Sequence, residues 1–381
     1  MFGRKKQRDK PRGAVAQTVP RPFGASDLLI PARAAVMTRA ERELYASLRE
    51  SVPVIDAALG KIVRLVGSFH IISDSRRCQE EAERFVRGVR VNGSCEGLHS
   101  FICSYLDSLL TYGEAVGEML PDVGGNGIAA LYNANLNDVE IRANGSPLDL
   151  EVCCRKGGES RPVRYPQLVL VSLLNQKAGT ARGTSLLSGL PFVSSVLLRI
   201  FTSLKHNWER AGDIRFAVTY KPDSGVFSEE NAKLIADEWR KAMRSDSVCD
   251  FVSVGDVSVK VIGAESRMPD CEVPMRALLE QIVAKLGIPP FLLGLSWSTT
   301  EKMSEQQADI LTSELEYYRA ALEPVIRRVV RTHLLLSGCN ERFEVKWDDI
   351  NLQDAVELSS ARLNNAQAER LEKETEAAYG R

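Results

Sequence analysis

An imidazole binds metal or moves a proton near neutral pH, so the histidines come first. The four, His70, His99, His206 and His333, fall in different segments, and no HExxH, HxH or Cys–His pattern joins them. The sequence therefore offers no metal-ligand spacing. The eight cysteines, Cys78, Cys95, Cys103, Cys153, Cys154, Cys249, Cys271 and Cys339, form no CxxC pair. In a long chain with no export signal, that scatter predicts buried, reduced thiols. Adjacent Cys153 and Cys154 on a strand would point to opposite faces. There is no GxSxG elbow and no GxGxxG after a strand. "GGNG" at 124–127 lacks the Lys-Ser/Thr of a phosphate loop and opens no helix, so it reads as a hairpin turn. The acidic pairs Glu229–Glu230 and Asp348–Asp349 have the atoms to bind magnesium, but helix starts and solvated faces explain them better. No nucleophile, base, metal or cofactor is nominated, and the expectation is a protein that is not an enzyme. The competing enzyme reading is a metal-dependent nuclease or hydrolase using Asp348, Asp349 or Glu344.

One polar stretch is left to explain. "LGIPPFLLGLSWSTTEKMSEQQA" sets Ser296, Trp297, Ser298, Thr299, Thr300 and Lys302 between two strongly helical segments. On its near side, "CEVPMRALLEQIVAKLG" carries Met275, Leu278, Leu279, Ile282, Val283 and Leu286 as one apolar stripe. Pro289 and Pro290 should stop that helix. On its far side, "EKMSEQQADILTSELEYYRAALEPVIRRVVRTHLLL" predicts a helix of about 34 residues, roughly 50 Å long. Leu311, Leu315, Tyr318, Leu322, Val325, Ile326 and Val329 keep helical spacing across Pro324, so the proline should kink the helix without ending it.

Those helices need a scaffold. At 381 residues the chain has room for two or three domains or sub-domains. Hydrophobic residues at 44% and charged residues at 26% suit a folded globular protein. The net charge of −1 lacks the basic excess of a tight nucleic-acid binder. The basic start, with Arg4, Lys5, Lys6, Arg8, Lys10 and Arg12, reads as a flexible arm, or as one that orders on a neighbouring subunit or touches nucleic acid. No apolar h-region follows it and no stretch reaches ~18 apolar residues, so neither export nor a membrane span is expected. A helix should start near Thr38, and a second should follow with Ser51 as N-cap and Pro53 in its first turn. "FHIIS" reads as a strand and "LHSFICSYLDSLLTYG" as a helix ending at Gly113. Short strand-like runs over 114–172 predict a small antiparallel sheet. "FVSSVLLRIFTSLKHNWERAG" predicts a long helix from Pro191 to Gly212.

Residues 213–268 read as an α/β insert. It has a strand "IRFAVTY", a helix with Ser228 as N-cap, and a hairpin of "DFVSVG" with "VSVKVIG". Its ten acidic and eight basic side chains balance, which argues against a phosphate-binding face. "RFEVKWDDI" is a late strand, and the tail from Gln353 reads as a charged, Ala-rich helix.

The order of these parts, an α+β arrangement, resembles the portal proteins of tailed double-stranded-DNA phages and prophages. The resemblance rests on "LLTYGEAVGEML", "RGTSLLSGLP", "PMRALLEQIVAKLGIPPFLLGL" and "SEQQADILTSELEYYRAALEPVIRRV", and covers residues ~40–350. It implies a homo-oligomeric ring, in the family a dodecamer, at a capsid vertex of the virion, assembled in the host cytoplasm. Residues 38–187 would be the wing, and 188–212 and 269–288 the two stem helices. Residues 213–268 would form a small clip and 289–303 the tunnel loop. Residues 304–352 would be a long kinked helix with a strand returning to the wing, and 353–381 a short crown. The implied partners are double-stranded DNA in transit, the terminase large subunit, a head-completion or adaptor protein, and major capsid and scaffold proteins. No cofactor and no membrane are implied.

On that resemblance Ser296, Ser298, Thr299, Thr300 and Lys302 would face DNA through weak, sequence-blind backbone contacts. Trp297 would be the loop's anchor or its tip. Gly287, Pro289, Pro290 and Gly294 would frame a loop able to shift, and Pro324 would mark the kink. Clip docking would fall to Glu229, Lys233, Asp237, Arg240 and Lys241. A near-neutral conduit suits sliding, because strong phosphate binding would act as a brake. The alternative within this class is a capsid-associated adaptor ring through which no DNA passes.

Overall fold

The computed structural model of the chain describes residues 37–146, 149–156, 159–176, 180–212, 215–221, 233, 234, 236, 237, 256–262, 271–295, 301–350 and 352. The basic arm, the tail from 353, Cys249 and the 296–300 stretch lie outside the described residues. Helix α1 (Arg39–Ser51) begins where expected, at a reciprocal cap: Glu41 N–H donates to Thr38 Oγ1 at 3.2 Å, and Thr38 N–H donates to Glu41 Oε2 at 2.9 Å. Ser51 is not the next N-cap. It is the last residue of α1, because Val52 N–H still bonds Leu48 O at 3.0 Å. Val52 precedes α2 (Pro53–Leu65) without a side-chain cap, and Pro53 starts the helix through its fixed φ.

Strand β1 (Phe69–Ser73) leads to α3 (Arg76–Gly88), an element the sequence reading did not contain. Its buried face is only Cys78, Ala82 and Phe85, set among charged residues. The two-residue strands β2 (Arg90–Val91) and β3 (Cys95–Glu96) were also unforeseen. Helix α4 (Leu98–Tyr112) is the centre of the core, with Leu98, Phe101, Ile102, Tyr105, Leu106, Leu109 and Leu110 all buried. It ends at Gly113 (φ 76°), where a Cβ would lie 2.5 Å from the backbone of Thr184, so only glycine fits.

The region after α4 holds two sheets rather than one. Strands β4 (Glu114–Pro121), β5 (Ile128–Asn133) and β9 (Val169–Leu173) join β2 and β3 in the order β3-β2-β5-β4-β9, with β2 parallel to β5. Strands β6 (Val139–Ala143), β7 (Leu150–Lys156) and β8 (Glu159–Pro162) form a separate antiparallel sheet. "GGNG" is the turn between β4 and β5, and Cys153 is buried while Cys154 is exposed.

Helix α5 (Leu190–Gly212) packs along α6 (Glu272–Leu286). Between them in sequence, β10 (Arg215–Lys221) pairs antiparallel with β11 (Asp256–Ile262). Strand β11 therefore closes against the start of the insert. The "DFVSVG" run expected to pair with it lies outside the described residues, as does Ser228. Residues 233, 234, 236 and 237 are helical. Helix α7 (Glu301–Leu336) runs 36 residues with Pro324 inside it, and every residue of its expected stripe is buried. Strand β12 (Phe343–Trp347) then returns to pair antiparallel with β1, Trp347 opposite Phe69.

Ion pairs fasten α1 onto this core. Arg42 Nη2 lies 3.5 Å from Glu114 Oε2, both side chains under 5% exposed. Arg182 meets Glu41 at 2.7 Å, and Arg49 reaches Asp107 and Thr111 at 2.8 Å each. Burial raises the Glu114 carboxyl above its ordinary range, and Arg42 pulls against that rise. Removing one partner strands a buried charge. The substitution Glu114→Ala should cost roughly 3–5 kcal/mol in urea unfolding, whereas Arg39→Ala, which breaks the exposed Arg39–Glu43 pair, should leave the midpoint nearly unchanged.

Candidate functional site

The stretch between α6 and α7 is held at both ends. Helix α6 stops at Leu286 because Gly287 turns left-handed (φ 68°) and its N–H bonds Val283 O at 3.0 Å. The two prolines follow a helix that Gly287 has already closed, which corrects their expected role as the stop. Pro290–Leu293 then makes a 3₁₀ turn, with Leu292 N–H on Pro289 O at 3.1 Å. Gly294 repeats the left-handed turn (φ 76°), and Gly294 and Leu295 N–H bond Phe291 O and Pro290 O at 3.1 Å each. A Cβ on Gly287 or Gly294 would meet nothing within 4 Å, so backbone angle rather than space requires glycine there.

Ile288 is buried, and Phe291, Leu292 and Leu293 pack against the main core beside α2. On the far side Ser304, Ala308 and Leu311 are buried, while Lys302 is exposed. Ser296, Trp297, Ser298, Thr299 and Thr300 lie outside the described residues, between these two anchors. Lys233 and Asp237 sit one turn apart on an exposed helix face of the insert, while Glu229, Arg240 and Lys241 lie outside the described residues. The two groups of expected site residues belong to different parts of the chain.

Large apolar side chains are exposed on the same helices. Met303, Ile310 and Tyr317 are 47%, 64% and 46% exposed, and their spacing of seven puts them on one face of α7. Phe201 and Trp208 repeat that spacing on α5, and Val273 is exposed at the start of α6.

A group the sequence did not reveal surrounds His333. Its Nδ1 accepts Ile128 N–H at 3.1 Å, its ring stacks on Phe85 at 3.8 Å, and its Nε2 faces Glu81 Oε1 at 3.3 Å and Ser337 Oγ at 3.4 Å. Serine, histidine and glutamate together suggest a hydrolytic triad, but the geometry is wrong. A triad places nucleophile and acid on opposite ring nitrogens, whereas here both meet Nε2 and a backbone amide occupies Nδ1. The group acts instead as a clasp between α7, α3 and the β4–β5 turn. No spacing could have signalled it, because Glu81 and His333 are 252 residues apart.

Of the acids in the enzyme reading, Asp348 pairs with His70 Nε2 at 3.1 Å, and Glu344 and Asp349 are exposed. Among the described residues no three His, Cys, Asp or Glu side chains are grouped to hold a metal. The described cysteines are thiols; Cys78, Cys153 and Cys339 are buried, but Cys95 and Cys154 are exposed, contrary to the expectation of burial. No described helix is long and apolar enough to cross a membrane.

Burial lowers the His333 imidazole below its ordinary value, with Glu81 opposing the shift. A histidine lowered in the folded state stabilises the fold above its unfolded value and loses that contribution as pH falls below it. The wild-type melting temperature should therefore drop between neutral pH and about pH 5. In His333→Asn the drop should be smaller, as read by circular-dichroism melts at both pH values.

No protein-family model matches the chain, and no curated protein matches it. Solved structures do. A chain in the neck of the empty GTA particle, computed with C6 symmetry, superposes with a TM-score of 0.60 at 14% identity, covering 84% of this chain and 87% of that one. The neck of the native particle, computed with C12 symmetry, gives the same values. A chain of the native gene transfer agent (GTA) virion gives 0.57 at 15% identity, covering 85% and 89%. An HK97-family phage portal protein from Corynebacterium diphtheriae overlays at 0.46 and 17% identity, covering 84% and 97%, too loosely to carry an argument. This chain has the α+β fold of a protein from the neck of a gene transfer agent particle.

Proposed function

We propose that the chain is a portal protein, the subunit of a ring at a capsid vertex through which double-stranded DNA is packaged and later ejected. The observation that carries this reading is the fold likeness to a neck protein over 84% of the chain and 87% of that protein. The chain's own residues are consistent with it. Apolar rows on α5 and α7 need a partner, and a ring supplies one through a repeated head-to-tail contact. The net charge of −1 leaves DNA free to slide.

In this reading α5 and α6 are the stem and residues 38–187 with β12 are the wing. The insert at 213–268 is the clip, which docks the terminase large subunit and then a head-completion protein. Lys233 and Asp237, with Glu229, Arg240 and Lys241, belong to that docking face. Residues 353–381 form the crown, and major capsid and scaffold proteins surround the ring. In this reading the ring is a dodecamer, a count supported by the native-particle neck computed with C12 symmetry. The polar residues 296–300 and Lys302 touch the DNA backbone. Gly287 and Gly294, each in a left-handed turn, frame the loop with Pro289 and Pro290. Pro324 is the kink of α7 in this reading.

The second reading, an adaptor ring without DNA transit, draws on the same fold and apolar rows. Deleting residues 296–302 separates the two. DNase-protected DNA per particle should fall about tenfold or more while the ring still assembles; unchanged packaging would favour the adaptor. Ring formation has its own check. Ile310→Glu should shift the purified chain from a ring to smaller species in mass photometry, because a buried carboxylate at a subunit contact costs several kcal/mol.

A further inference from the structure

A groove of about 660 Å³ lies between the last turns of α7 and strand β12. Arginines dominate it: Arg327, Arg328, Arg331 and Arg342. Two are already engaged. Arg327 Nε donates to Glu323 at 2.7 Å, and Arg328 Nη2 donates to the Gln167 carbonyl at 3.0 Å. Arg331 and Arg342 are exposed and make no ion pair with any described residue. Leu334, Leu335, Cys339 and Phe343 also line it. Leu335 lines the groove yet is 49% exposed. Arg331 and Leu335 lie one turn apart on α7 and share the groove with Arg342, which sets charge-assisted donors beside an exposed apolar side chain.

We propose that this groove docks an acidic, amphipathic segment of another protein, with carboxylates on Arg331 and Arg342 and an apolar side chain on Leu335. Nucleic acid fits the lining less well. A phosphate backbone gains nothing from an exposed leucine, and Glu341 and Glu344 in the same lining repel a continuous polyanion. Separate carboxylates on a peptide can be placed on the arginines alone, and a mixed rim around an apolar centre is the usual anatomy of a protein contact. This surface is distinct from the insert proposed above as the clip and from the 287–303 stretch. Its existence does not depend on the ring.

The test uses the full-length chain and fluorescence anisotropy. The probes are a short labelled peptide with glutamates on one helical face and leucines on the other, its lysine-for-glutamate counterpart, and a short DNA duplex. The acidic peptide should bind, and Arg331→Glu with Arg342→Glu should weaken it about tenfold or more. Leu335→Ser should weaken it severalfold, and the lysine peptide should not bind. If the charge-reversed protein misfolds by circular dichroism, Arg331→Gln with Arg342→Gln takes its place, with the same direction expected. No binding of the acidic peptide overturns the proposal, as does binding that ignores the arginine substitutions. Duplex DNA that competes with the peptide and loses affinity in the same variants would assign the groove to phosphate instead.

Discussion

The apolar stripe of α7 is the constraint on which the other elements depend. From Leu311 through Leu315, Tyr318, Leu322, Val325, Ile326 and Val329 to Leu334 it is buried without a break. Helix α7 contacts α3, α4, β5, β9 and β12, so one helix of 36 residues, about 54 Å, ties both ends of the described chain to a single core. Polar contacts fix its rotation. Arg319 Nε donates to Val66 O at 2.8 Å and its guanidinium lies 5.1 Å from the Trp347 ring, while His333 binds the Ile128 amide further along. Rotating α7 would break all of these at once and expose the stripe. A long helix held this rigidly also fixes where the 287–300 stretch must end.

That rigidity bears on the proposed function. A loop that touches moving DNA has to be placed precisely yet hold on weakly. Precision comes from Ile288 and the 3₁₀ turn on one side and from Ser304 and Leu311 on the other, all seated in or against the core. In that reading weak contact would come from side chains that offer hydroxyls and one amine. The exposed rows on α5 and α7 belong to the same design in the ring reading. They face away from the core of the described residues, where a neighbouring copy would cover them in that reading.

Much of this was legible in the sequence because the signals were periodic or conformational. The α7 stripe, the inward face of α4, the glycine end at Gly113 and the β1 and β12 strands each follow from spacing or from a residue that only one backbone geometry suits. Other features left no such trace. Helix α3 shows just Cys78, Ala82 and Phe85 against a charged background, too few apolar positions to stand out. The region over 114–173 splits into two sheets because β6, β7 and β8 pair with one another while β4, β5 and β9 join β2 and β3, a choice of tertiary partners no local pattern encodes. Pro289 and Pro290 looked like the helix stop because proline is a strong breaker, but Gly287 acts two residues earlier. Of the residues expected to face DNA only Lys302 falls on a described element. The His333 clasp and the arginine groove join distant segments and needed the fold to be seen.

The central claim is that copies of this chain close into a ring with α5 and α6 around a central opening. Cryo-electron microscopy of the purified full-length protein tests it most directly. The account predicts a closed ring, twelvefold as in the neck reconstruction, with α5 and α6 lining a hole wide enough for a DNA duplex and residues 296–300 facing it. A protein that stays monomeric at all concentrations, or a ring that turns these helices outward, would contradict it.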